Sequence, residues 1–173
     1  MSEAEEPVGK TRAWLRDFVV GRDMCPYAAG PLRSGRVRIA VSEGADAEAA
    51  LADLMREADR LCREDPSVLE TTLLVLTRGF SGFDRFWEAS LFAQVMIKAS
   101  GLEGVLQVVA FHPEFRFEGA DPHDPGNAVN RSPYPMWHLL REDSVARVLE
   151  SDPSAYEVAE RNRARLLLDP EEG

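Results

Sequence analysis

Three of the five cysteine and histidine side chains in this sequence stand where they could do covalent or acid–base chemistry near neutral pH. Cys25 lies between Met24 and Pro26, outside any apolar periodicity, while His112 and His138 come much later. A cysteine becomes a nucleophile when a neighbouring imidazole favours its thiolate, and an imidazole is the side chain best suited to act as general base at that pH. The same residues, with Asp124 as a fourth candidate, have the donor chemistry of a zinc or iron site. His138 closes the segment NRSPYPMWH, in which Asn130, Arg131, Ser132 and Tyr134 stand within a few positions of one another. A guanidinium can hold a carboxylate or phosphate through two parallel hydrogen bonds. Arg131, Asn130, Asn127, Ser132, Tyr134 and Arg78 are therefore the candidate contacts for a small anionic substrate.

Each of these residues also has a plain structural reading, and both readings stay open at the level of sequence. A free cysteine is often a small buried hydrophobe, and Cys62, on the apolar stripe of a predicted helix, is read that way. A buried histidine can tie down a loop, an arginine can brace loop carbonyls, and asparagines form turns. Phe115, Phe117, Tyr134 and Trp137 are expected to pack beneath the loop, and His123 in DPHDPG to be solvated. The sequence has no paired C-x-x-C, glycine-rich phosphate loop or G-x-S-x-G. Three classes follow: a Cys/His enzyme acting on an anionic small molecule, a zinc or iron protein using the same ligands, and a non-catalytic ligand-binding or interaction domain. The Cys25–Pro26 pair adds a haem-binding variant.

The elements that must position these groups can be read from periodicity. TRAWLRDFVV places Trp14, Leu15, Phe18 and Val19 on one helical stripe, with Gly21 placed to end it in a left-handed cap. VRIAVS alternates as a strand with one wet face, at a sheet edge; DAEAALADLMREADRLC is an amphipathic helix; and TTLLVL reads as a central strand covered on both faces. A helix from about Phe83 to Ser100, with Ser81 as cap and Gly101 as stop, precedes a third strand, GVLQVVAF. Helices are expected near 136–150 and 155–168, which puts His138 near a helix start, where the dipole favours neutral imidazole. The order of elements predicts an α/β fold with a three-stranded, mostly parallel sheet and helices, a ferredoxin-like α+β arrangement being the alternative.

Between the third strand and the next helix runs a long connection, HPEFRFEGADPHDPGNAVNRSPYP. Ordered connections of this length are usually lids, binding loops or packed Ω-loops, and its prolines stiffen it. In open parallel sheets ligands bind beyond the carboxyl ends of the strands, where His112, Thr77 and Arg78 are expected.

Length and composition set the outer limits. With 173 residues, 45% hydrophobic, the chain can bury a core without staples, and one domain over 1–173 is expected, with 1–8 and 169–173 frayed. Twenty Lys and Arg against thirty Asp and Glu give a net charge of -10, unfavourable for nucleic acid or anionic lipid. No apolar run approaches a bilayer span, and two cysteines make no disulfide framework. A soluble cytoplasmic protein with reduced thiols and a small-molecule ligand, binding neither nucleic acid nor membrane, is the expectation.

Three segments carry a resemblance. GRDMCPYA, LQVVAFHPEFRFEG and NRSPYPMWHLLREDS resemble the matching segments of a bacterial family catalogued as domain of unknown function 1415, and the likeness runs from Trp14 to the ERN at 160–162. It implies counterparts of Cys25, His112, Asp124, Asn127, Asn130, Arg131 and His138, and it brings no established activity. At His123 the family more often has an acidic residue, which counts against His123 as a ligand.

Overall fold

TTLLVL, the most uniformly apolar run, becomes strand β2 (Thr71–Leu76), and all six of its residues are buried. A computed structural model of the protein describes residues 4–152, 155 and 157–168. In it β2 pairs parallel with β1 (Val37–Ser42) on one side and antiparallel with β4 (Met136–Arg141) on the other; β4 pairs antiparallel with β3 (Leu106–Phe111). The sheet order is β1-β2-β4-β3. The fold is therefore mixed α/β, but the sheet has four strands rather than three, and it is mixed rather than mostly parallel.

The added strand is MWHLLR, which sequence periodicity assigned to a helix from 136 to 150. Helix α5 begins only at Glu142 and runs to Ser151. A short apolar run can be strand or buried helix, and here two flanking strands offer it a ladder on each side, so pairing decides.

Side-chain alternation along the strands divides the interior into two clusters. Leu74, Leu76, Leu106, Val108, Ala110, Trp137 and Leu139 face helices α3 (Ala47–Arg63) and α4 (Phe83–Ile97). Leu73, Val75 and Met136, with Val37, Ile39, Val41 and Phe111, face Leu15, Phe18, Val19 and Leu32 from the N-terminal helices. Helices on both faces distinguish this arrangement from a ferredoxin-like fold. They also leave β1 without the wet face expected of it: Ser42 is buried, and Arg38 reaches Glu57 on α3 through two hydrogen bonds of 2.7 and 3.0 Å.

Helix α3 is capped by Asp46, whose side chain accepts from the Ala49 amide, and buries Ala50, Leu54, Ala58 and Leu61 at helical spacing. Cys62 falls just off that stripe and is exposed, against the reading that buried it. The N-terminal helix α1 (Glu5–Trp14) opens inside the segment expected to fray and continues as a π-helical stretch, Leu15–Val20. Gly101 adopts the left-handed conformation expected of a helix stop, with φ 75°. Gly21 does not, at φ -61°; a Cβ there would strike the Asp17 carbonyl, so close approach selects glycine instead. The remaining helices are α2 (Ala29–Arg33) and α6 (Val158–Leu168), the latter within the expected 155–168; 169–173 lie outside the described residues.

Trp137 joins β4 to α4. It is fully buried, its indole N–H donates to Ser90 Oγ at 2.8 Å, and that hydroxyl donates to the Phe86 carbonyl at 2.8 Å. Trp137→Ala is expected to cost about 3–5 kcal/mol in urea unfolding, whereas Val68→Ala on the exposed surface stays within about 0.5 kcal/mol.

Candidate functional site

The alternation that builds the core also sorts the candidate residues. His138 sits on β4 opposite Leu73 and Val109, on the face of the N-terminal helices, and Cys25 packs against the same cluster. His112, one residue past β3, lies on the other face among Phe80, Phe83 and Phe86, with ring centroids 5.4 and 5.0 Å from the last two. The sheet therefore separates His112 from Cys25 and His138, and the three are not brought together.

His112 is also fully engaged. It is completely buried, its Nε2–H donates to the Phe80 carbonyl at 2.9 Å, and its Nδ1 accepts the Glu114 amide at 3.0 Å. These two bonds fix one neutral tautomer and leave no ring lone pair for a metal or a proton. Burial lowers its pKa, against the bond to Phe80 and the charge of Glu114.

His138 makes a different arrangement. Thr71 Oγ1 donates to the Leu139 carbonyl at 2.6 Å, so at 2.7 Å it must accept from His138 Nε2–H, leaving Nδ1 as the acceptor. Burial pushes the pKa of His138 down to about 4. The cause is desolvation rather than the helix dipole expected from sequence, because His138 is mid-strand. It borders a cavity of about 20 Å³, lined also by Tyr27, Thr71 and Leu73, with room for about one water.

Cys25 opens onto a larger space. A cavity of about 260 Å³ lies between the Met24–Tyr27 turn, Gln107 and Leu140 on the sheet, Val129, and Val145, Val148, Leu149 and Val158 from the last two helices. Its lining is mainly apolar. Burial raises the Cys25 thiol pKa, outweighing the amide N–H groups of Tyr27 and Ala28 that favour the thiolate. Asn162, fully buried, closes one wall: its Nδ2 donates to the Met24 carbonyl at 2.6 Å, which identifies the other atom as oxygen, and that Oδ1 has no hydrogen-bond partner among the described residues.

Between the two cavities stands Tyr27, which lines both. Its hydroxyl donates to Glu70 Oε1 at 2.6 Å, and Arg36 bonds Glu70 Oε2 at 2.9 Å. Burial alone would raise the Glu70 pKa, but bonds from Ser144 and Tyr27 and the charges of Arg36 and Arg141 lower it. Burial and Glu70 together push the Tyr27 phenol up. Tyr27, Glu70 and Asn162 were not singled out from sequence, although Tyr27 lies inside the quoted GRDMCPYA and Asn162 is the last residue of the ERN that bounds the resemblance.

The long loop spends its polar groups on its own backbone and on that of β3. Asn127 Oδ1 accepts the Phe117 amide at 3.0 Å while Nδ2 donates to the Asp121 carbonyl at 2.9 Å. Arg131 donates to the carbonyls of Phe115 and Pro122, at 3.3 and 2.7 Å, and Asn130 to that of Ala110 at 3.0 Å. Ser132 Oγ donates to the Tyr134 carbonyl, and Asp124 accepts the Gly126 amide, capping a short 3₁₀ helix at Pro125–Asn130. The Tyr134 ring lies 5.9 Å below Lys10 Nζ. Arg78 borders a separate cavity of about 320 Å³ with Ser42, Glu43 and Thr77, at the carboxyl ends of β1 and β2. Among the described residues no three of His, Cys, Asp and Glu stand together as a metal would need, and the set Cys25, His112, His138 and Asp124 is not assembled. No helix there is long and apolar enough to cross a membrane.

The low His138 pKa has a consequence for stability. The unfolded chain binds a proton at His138 near the ordinary imidazole value of about 6.5, whereas the folded chain does so only near 4. The unfolded state therefore gains protons first, and stability present above about pH 6.5 is lost as pH falls toward 4, by about 1–3 kcal/mol. Urea unfolding at pH 7.0 and 4.5 should show this loss, and His138→Gln should shrink it; an unchanged loss in the variant would contradict the assignment.

None of the curated proteins or solved structures compared with the chain matches it. A family model described as protein of unknown function (DUF1415) matches residues 6–170, which include every element described above but for the first residue of α1, and the chain belongs to that family.

Proposed function

We propose that the chain is a ligand-binding domain whose site is the cavity at Cys25, and that its ligand is a small, mostly apolar molecule. The observation that carries this reading is the cavity itself: about 260 Å³ of space walled mainly by apolar side chains, with the Cys25 turn on one side. An apolar lining with a few placed polar groups is the usual make-up of small-molecule sites.

The catalytic reading, with Cys25 as nucleophile, His112 or His138 as base and Arg131 and Asn130 on an anionic substrate, draws less support. The thiol pKa is raised, His112 is bonded at both ring nitrogens, and Arg131 and Asn130 bond loop and strand carbonyls. The zinc or iron reading loses its His112 ligand on the same ground.

Indene, a rigid apolar bicycle, serves as the probe. Followed by amide chemical shifts, it is expected to bind saturably, with the shifts gathered at the residues that line the cavity. Val148→Phe, which adds bulk at the cavity wall, should weaken that binding by about tenfold or more. Absence of saturable indene binding, or binding untouched by Val148→Phe, would overturn the proposal.

A further inference from the structure

Helix α4 buries Phe86, Ala89, Ser90, Ala93 and Ile97 against the sheet, yet its outer side is apolar as well. Trp87, Leu91, Phe92 and Val95 are 38, 47, 62 and 62% exposed. On a soluble protein, scattered exposed hydrophobics need no explanation, but a contiguous apolar helix face does. Trp87, Leu91 and Val95 follow each other at steps of four, so they form one ridge along the outside of the helix.

The charges at the two ends of that ridge identify what covers it. Asp84 and Lys98 lie seven residues before and seven after Leu91, which returns both to the same side of the helix. If two copies of α4 cross antiparallel at Leu91, Leu91 meets Leu91, Trp87 meets Val95, and Asp84 of each copy meets Lys98 of the other. A parallel pairing would instead oppose Asp84 to Asp84 and Lys98 to Lys98. Within one chain Asp84 already bonds Arg116 at 2.5 Å and Lys98 bonds Glu103 at 2.6 Å. The antiparallel pair thus strings four charges of alternating sign at each end of the apolar ridge. The surface is complementary to itself under a two-fold rotation, as an isologous dimer interface must be.

We infer that the outer face of α4 is a homodimer interface, in which a second copy of this chain packs antiparallel across Leu91 with Asp84 and Lys98 paired between copies. Because α4 covers the sheet face opposite Cys25, the cavity stays clear of the dimer contact.

Sedimentation of the full chain tests this directly. At micromolar concentration the wild type should sediment with about twice the 19.2 kDa chain mass. Leu91→Asp, which sets two carboxylates on the two-fold axis, should raise the dimer dissociation constant by about 100-fold or more, the scale of a central interface residue, with the circular dichroism unchanged. Asp84→Lys, which would set like charges against each other between copies, should weaken the dimer. In a Cys62→Ser background, Leu91→Cys should oxidise to a disulfide-linked dimer, which needs no change of charge. A wild type that stays monomeric at 100 µM, a dimer indifferent to Leu91→Asp, or a Leu91→Cys variant that forms no cross-link would overturn the inference.

Discussion

The pleat of β4 is the constraint on which the rest of the structure depends. Because successive side chains of a strand face opposite ways, inserting MWHLLR between β2 and β3 sends Trp137 toward α3 and α4 and His138 toward the N-terminal helices. One position decides everything that follows. The indole anchors α4 through Ser90, while the imidazole one residue later is desolvated beside Thr71. The same alternation in β3 puts Phe111 with His138 and leaves His112 on the far side, so two histidines that look like partners in sequence are divided by the sheet.

A second economy governs the long loop. Its backbone leaves β3 without a ladder to satisfy it, and Asn127, Arg131, Ser132 and His112 supply the missing partners one by one, while Asn130 ties the loop to the β3 carbonyl of Ala110. Buried or half-buried carbonyls and amides must be paired, so a loop of this length needs a dense set of polar side chains merely to hold its shape. The loop's share in the cavity is instead an apolar one, through Val129. Asn162, on the same cavity, is fully buried, its amide N–H used on the Met24 carbonyl and its oxygen without a hydrogen-bond partner among the described residues.

Much of the architecture was legible from periodicity alone. The three strands and the helices α3 and α4 fall where alternation and helical spacing put them, since each is long enough to show its period. β4 was not legible: Arg141 passes straight into the helix at Glu142 with no glycine or proline between them, and six apolar-rich residues fit either period. The candidate site was legible only in part. The Cys25 turn was found by its departure from apolar periodicity, but the cavity depends on Asn162 meeting Met24 across 138 positions of sequence, and no local pattern encodes that contact. His112 and Arg131 carried the residue types of catalysis because loop bracing and catalysis draw on the same hydrogen-bonding groups.

Cys25 borders the apolar cavity, and burial holds its thiol protonated. Its alkylation rate by iodoacetamide as a function of pH, measured in a Cys62→Ser background, reads that state. The rate should climb only above the ordinary pKa of a free thiol, because burial holds the thiolate back. A rate already on its plateau below pH 7, the mark of a thiolate paired with a cation, would contradict it.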